Sequence, residues 1–138
     1  DAQESRGLGD VYKRQGLRPL ASNIRVERWV AHSDLLPRTD VMVTTGGAST
    51  VLAGLNAGVP MVVVPTQWDK PDNAQRVVEA GAGIRISPRR CTAERLRAAV
   101  ERVLADPSFR QNARKMSEIF SRYGGASRAA ELLEALCP

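Results

Sequence analysis

Histidine and cysteine are almost absent from this chain of 138 residues. His32 is the only histidine, and Cys91 and Cys137, the only cysteines, stand far apart with no partnering motif. That pattern excludes a zinc site and a disulfide framework, and it fits a reducing, cytoplasmic setting. Aromatic residues are few as well, two Trp, two Tyr and two Phe, so a stacking platform for single-stranded nucleic acid is not expected. The longest apolar run covers only residues 59–65, far short of the roughly 18 residues a membrane span requires.

What the chain does have is the composition of one soluble globular domain. Hydrophobic residues make up 43% and charged residues 25%, enough apolar surface at this length to bury a core. The net charge is +5, yet the Lys and Arg residues are scattered, which argues against a nucleic-acid interface. A small phosphate-bearing ligand suits a mildly basic protein.

Residues 1–15 (DAQESRGLGDVYKRQ) show neither a period-two nor a period-3.6 apolar pattern, and their charges cancel. They read as an adaptor- or vector-derived tail or a flexible linker, and the domain is expected over residues 16–138.

Beyond residue 20, short apolar runs alternate with helical patterns. Residues 24–29 (IRVERW) alternate apolar and charged, as a strand with one wet face would. Residues 41–45 (VMVTT) and 61–65 (MVVVP) are continuous apolar or β-branched runs, the mark of strands covered on both faces, and 83–87 (GIRIS) is a fourth candidate. Between them the spacing predicts helices over 49–57, stopped by Gly58, and over 71–80, opened by Pro71 and closed by Gly81. Thr92 caps a helix over 93–105, in which Leu96, Val100, Val103 and Leu104 share a face. Ser108 begins the next helix, and a last one covers about 127–136. Such alternation predicts an α/β fold, a mostly parallel, Rossmann-like sheet flanked by helices, with its ligand outside the carboxyl ends of the strands.

The most informative local feature is Thr44-Thr45-Gly46-Gly47-Ala48-Ser49-Thr50, lying between a predicted buried strand and a helix. Glycine lets a ligand approach the backbone, and the first N–H groups of a helix point at an anion seated there. On chemistry alone the same turn also serves as a plain tight connection. It is not a P-loop, since no GKS or GKT follows, and its glycine spacing is not the dinucleotide fingerprint.

Further motifs stand in order around it: Trp29-Val30-Ala31-His32 before Leu35-Leu36-Pro37, then Ala57-Gly58-Val59-Pro60, then Pro65-x-x-x-Asp69-Lys70-x-x-Asn73-Ala74, then Gly81-Ala82-Gly83. Together they resemble the C-terminal domain of the family-one glycosyltransferases, over residues 20–137. The resemblance implies the C-terminal half of a GT-B fold and binding of a UDP- or dTDP-hexose. It places Trp29 on the nucleobase, with Val30 and His32 beside the base and ribose. Thr45, Gly46, Gly47, Ala48, Ser49 and Thr50 become the diphosphate site, and Asp69 and Lys70 the sugar site. Read without the family, Trp29 is equally a half-buried strand aromatic, His32 a helix-capping loop residue, Asp69 and Asn73 turn and cap residues, and Lys70 and Trp68 solvated surface.

Three positions depart from the family pattern. Thr45 stands where a His usually meets the phosphate, Ala53 where a Glu commonly holds the ribose, and Lys70 where the Asp-Gln pair has its Gln. Inverting transfer in this family needs no metal or other cofactor, and its general base is a His from the N-terminal, acceptor-binding domain. No residue here corresponds to that base, so binding without catalysis is expected of this chain alone. A donor-half subunit working with a separate partner chain, a non-catalytic nucleotide-binding module and a cell-wall-type GlcNAc transferase of related fold are the alternatives.

Overall fold

The structure, a computed structural model, describes residues 21–136. The chain divides into two units, Asp1–Ala31 and His32–Pro138. The 1–15 tail, Cys137 and Pro138 lie outside the described residues.

In the first unit the strand expected at 24–29 does not form. Ile24 and Val26 are about half exposed and Trp29 is 80% exposed. Alternation tells which face of a strand would be wet, but a strand also needs a ladder partner for its backbone. None is assigned to this segment among the described residues.

The second unit is a three-layer α/β arrangement. A short helix α1 (His32–Leu35) runs into a 3-10 turn (Leu36–Arg38), then strand β1 (Met42–Thr44), helix α2 (Ala48–Asn56) and strand β2 (Met61–Val63). Helix α3 (Lys70–Glu79), strand β3 (Gly83–Arg85), a 3-10 turn (Pro88–Arg90) and helices α4 (Ala93–Ala105), α5 (Pro107–Ser121) and α6 (Gly125–Glu134) follow. The sheet is parallel in the order β1-β2-β3, with Met42 beside Met61 and Met61 beside Gly83.

Strand β2 shows why its run is continuously apolar. Met61 and Val63 face a cluster with Val51 and Leu55 of α2, Ala74 and Val77 of α3, and Ala113 of α5. Val62 faces the opposite side, against Ala99 and Val103 of α4. Every β2 side chain is fully buried, each worth roughly 1.5–3 kcal/mol of apolar transfer. β1 differs from the expectation of two covered faces: it lies at the sheet edge and Val43 is 49% exposed. Helix α4 packs on β2 and β3 and leaves that face of β1 open. Leu104, expected on the buried face of α4, is 55% exposed.

Helix limits follow local chemistry. The Thr92 hydroxyl accepts the Arg95 N–H at 3.3 Å to open α4, and the Asp106 carboxylate accepts the Ser108 N–H at 2.9 Å to open α5. Helix α2 ends as Gly58 turns to φ +67, with the Val59 N–H donating back to the Gly54 carbonyl at 2.9 Å. Helix α5 braces α2 from behind. Ser117 Oγ donates to the Asn56 carbonyl at 2.6 Å, and Arg110 ties the loop before β1 by donating to the carbonyls of Thr39 and Asp40.

Candidate functional site

The carboxyl ends of β1 and β2 hold two loops that meet at Gly46. In the first, the Gly46 N–H donates to Thr44 Oγ1 at 3.2 Å, and the chain turns at Gly46 with φ +88. A side chain there would stand 2.8 Å from Val63 Cγ1 and 3.2 Å from the Lys70 carbonyl oxygen, so the position has room only for glycine. A Cβ at Gly47, by contrast, would meet nothing within 4 Å. Gly47 is the N-cap of α2 and has no side chain to cap the helix. The first helical bond closes from the Val51 N–H to the Gly47 carbonyl at 3.0 Å, which leaves the N–H groups of Ala48, Ser49 and Thr50 without helical acceptors. Thr45, Ala48 and Ser49 are exposed there and Thr50 is half-buried. The result is an open, positively polarised helix end.

The second loop joins β2 to α3 and carries Thr66, Trp68, Asp69 and Lys70. Asp69 occupies the N-cap position of α3, yet its side chain caps no backbone group. Instead Asp69 Oδ2 accepts from Asn73 Nδ2 at 2.8 Å, and the same nitrogen donates to the Gly46 carbonyl at 3.0 Å. Asn73 therefore locks the acidic loop to the glycine turn. Lys70 Nζ donates to Thr66 Oγ1 at 3.1 Å and lies 5.9 Å from the centre of the Trp68 ring. Seven expected residues, Thr45 to Thr50 and Lys70, thus gather around one turn, and Asp69 is tied to it.

Trp29 and Val30 belong to the first unit, where both are exposed. The half-buried strand reading of Trp29 fails, since no strand forms and the indole is open. His32 is exposed as the first residue of α1. Sequence reasoning missed Asn73 as a site residue, although its place four residues after Asp69 at a helix start is the spacing at which side chains meet.

A cavity of about 780 Å³ among the described residues lies away from this turn. It opens between α2 and α5, where Leu52, Ala53, Met116, Ile119, Phe120 and Tyr123 make an apolar lining. Ala53 offers no polar atom to a ligand from that wall. Among the described residues no three His, Cys, Asp or Glu side chains gather as metal ligands, and no helix is long and apolar enough to cross a membrane.

A parallel sheet with helices on both faces and an open helix end at its carboxyl edge defines a nucleotide-binding type of α/β domain, here the C-terminal half of a GT-B glycosyltransferase. Residues 9–133 match the C-terminal domain of the erythromycin biosynthesis protein CIII-like family, and the chain belongs to that family. It is 38% identical over 120 residues to 4'-demethylrebeccamycin synthase of Lentzea aerocolonigenes, covering 87% of this chain and 28% of that protein. The solved glycotransferase of kitacinnamycin superposes with a TM-score of 0.82 at 39% identity, over 88% of this chain and 32% of its own. The glycosyltransferase VinC, solved in complex with dTDP, superposes with a TM-score of 0.76 at 28% identity, over 91% of this chain and 31% of its own. The chain thus spans about 28% of the first of these proteins and about a third of the solved structures.

Proposed function

We propose that residues 16–138 form the sugar-donor-binding domain of an inverting, metal-independent glycosyltransferase that moves a hexose from a UDP- or dTDP-sugar to a hydroxyl of a small-molecule acceptor. The observation that carries this reading is the uncapped N-terminus of α2 behind the Gly46-Gly47 turn. Three free N–H groups and the helix dipole suit a diphosphate, and they suit it best when its charge grows as the sugar departs. Among the described residues the Ser49 and Thr50 hydroxyls have no hydrogen-bond partner, and they are available to the same oxygens. Asp69 stands one hydrogen-bonded step away, through Asn73, to receive sugar hydroxyls. Trp29, Val30 and His32 supply the base and ribose contacts in this reading. The VinC complex with dTDP supports a nucleoside diphosphate as the ligand.

The reaction then requires an acceptor-binding domain or partner subunit to supply the base, and the protein works in the cytoplasm. Binding of a separate partner chain is the second reading, favoured by the open face of β1 at Val43 and the apolar cavity beside Ala53. Calorimetric titration with UDP, dTDP and NAD, with and without EDTA, tests the donor reading. Micromolar to millimolar binding of UDP or dTDP that survives chelation and is lost in Trp29→Ala is expected. A folded sample that binds neither nucleotide overturns it.

A further inference from the structure

Four of the scattered arginines are gathered by the fold. Arg85 at the end of β3, Arg90 of the following 3-10 turn, and Arg95 and Arg102 of α4 line one open cavity of about 430 Å³. Among the described residues its lining includes no Asp or Glu, and no ion pair joins any of the four to a carboxylate. Asp106, whose carboxylate feels the Arg102 charge, is committed to the Ser108 N–H and does not line the cavity. The pattern of α4 explains the space between the cations. Arg95 and Arg102 stand two turns apart on one face with Ala98 and Ala99 between them, so small side chains leave room where long ones would fill it. The two acids of the helix, Glu94 and Glu101, line a different cavity with Arg97. Arg95 is also fixed in place, since its Nη1 donates to the Arg90 carbonyl at 3.3 Å. Helix α4 covers the face of the sheet opposite α2 and α3, and no lining residue belongs to the glycine turn.

Like charges crowded around one opening repel each other, and an anion seated between them relieves the repulsion. We propose that this arginine groove is a second anion site, one that binds a small ligand carrying a linear polyphosphate chain. Such a chain brings several charges into a small volume, and guanidinium forks match phosphoryl oxygens two at a time. The Ser87 hydroxyl in the same lining adds a neutral donor. A nucleic acid would need a longer basic track and stacking aromatics, whereas this lining is one compact cavity without an aromatic. The site stands whether or not the glycine turn holds a nucleotide.

The test is calorimetry on the whole chain with inorganic tripolyphosphate, ATP and citrate at matched ionic strength, joined to amide chemical-shift mapping. The wild type is expected to bind tripolyphosphate more tightly than citrate, with shifts at Ser87 and along residues 95–102. Arg102→Gln should weaken that binding about tenfold, as for a lost charge-assisted hydrogen bond. Arg97→Gln changes the net charge of the chain equally but lies outside the groove, and it should keep wild-type affinity. Tighter binding of ATP than of tripolyphosphate upholds the site and identifies a nucleotide as the carrier of the chain. Equal or weaker binding of ATP upholds it with inorganic polyphosphate as the ligand. Shifts confined to residues 46–50, equal losses in the two variants, a preference for citrate, or no binding by the folded wild type overturns the proposal.

Discussion

The side-chain amide of Asn73 joins Asp69 to Gly46, with one nitrogen 2.8 Å from the Asp69 carboxylate and 3.0 Å from the Gly46 carbonyl. One group therefore sets the distance between the glycine turn and the acidic loop. Asn73→Ala removes both bonds and is expected to cost about 1 kcal/mol of stability, read by chemical denaturation. Its larger effect should fall on ligands that reach both loops. Affinity for a nucleotide-sugar should drop by about tenfold, as for a lost oriented hydrogen bond, while the free nucleoside diphosphate changes little. Equal losses for both ligands would mean that Asn73 only supports the turn.

Gly46→Ala acts on the turn itself. The added carbon meets Val63 Cγ1 at 2.8 Å and the Lys70 carbonyl at 3.2 Å, in a backbone at φ +88. Left-handed strain and overpacking together should cost about 2 kcal/mol or more, and nucleotide binding should vanish from the protein that remains folded. Gly47→Ala is the control, since its added carbon meets nothing within 4 Å. Thermal melts and calorimetry on the pair separate the two roles. A Gly46→Ala protein as stable as the Gly47→Ala protein would show that the turn is looser than it stands here.

These two loops also mark how far the sequence alone could be read. The burial of β2 and the cap at Thr92 follow from residues within a few positions of each other, and both were legible. So was the glycine turn, because strand, glycines and helix adjoin. The helix expected to begin at Ser108 instead starts at Pro107, with Asp106 as its cap. The Asn73 clamp was legible only in its half toward Asp69, four residues away, since its other partner, Gly46, lies 27 residues away. The exposure of Val43 escaped for the same reason: whether a helix covers an edge strand is decided by residues of α4, more than fifty positions on. The alternation at residues 24–29 signalled one wet face but carried no information about a ladder partner. Thr45, Ala53 and Lys70 were visible as departures from the family pattern, yet only the fold shows Lys70 held by Thr66 and Trp68.

The backbone angle of Trp68 makes a prediction independent of any ligand. Trp68→Ala and Trp68→Gly both remove the indole and its contact with Lys70, but only glycine adopts φ 62 freely. The glycine variant should therefore exceed the alanine variant in stability by about 1 kcal/mol. Urea denaturation of the two, measured at one pH, gives the difference directly. Equal stabilities would mean that the loop relaxes out of the left-handed region once the indole is gone, and that the indole itself holds it there.

The helix that braces α2 opens on a titratable cap, Asp106. Hydrogen bonds from the Ser108 side chain and backbone N–H hold the Asp106 carboxyl below its ordinary value of 3.8, with the nearby Arg102 adding to the effect. A carboxyl whose folded value is depressed binds its proton less readily in the native state than in the unfolded chain. Its contribution to stability is therefore full above 3.8 and is lost as pH falls through the lower folded value. Asp106→Ala should melt below the wild type at neutral pH, and the gap should close as the solution is taken well under pH 3.8. Asp106→Asn keeps an oxygen for the Ser108 N–H and cannot titrate. It should hold most of the neutral-pH stability and show a shallower acid dependence than the wild type. Because α5 reaches α2 through Ser117 and the Asn56 carbonyl, the alanine variant should also loosen the helix whose free end adjoins the glycine turn. Hydrogen exchange at Val51 and Leu55, measured at neutral pH, should then quicken in Asp106→Ala and stay near wild type in Asp106→Asn. Unchanged exchange in both variants would separate the brace from the site.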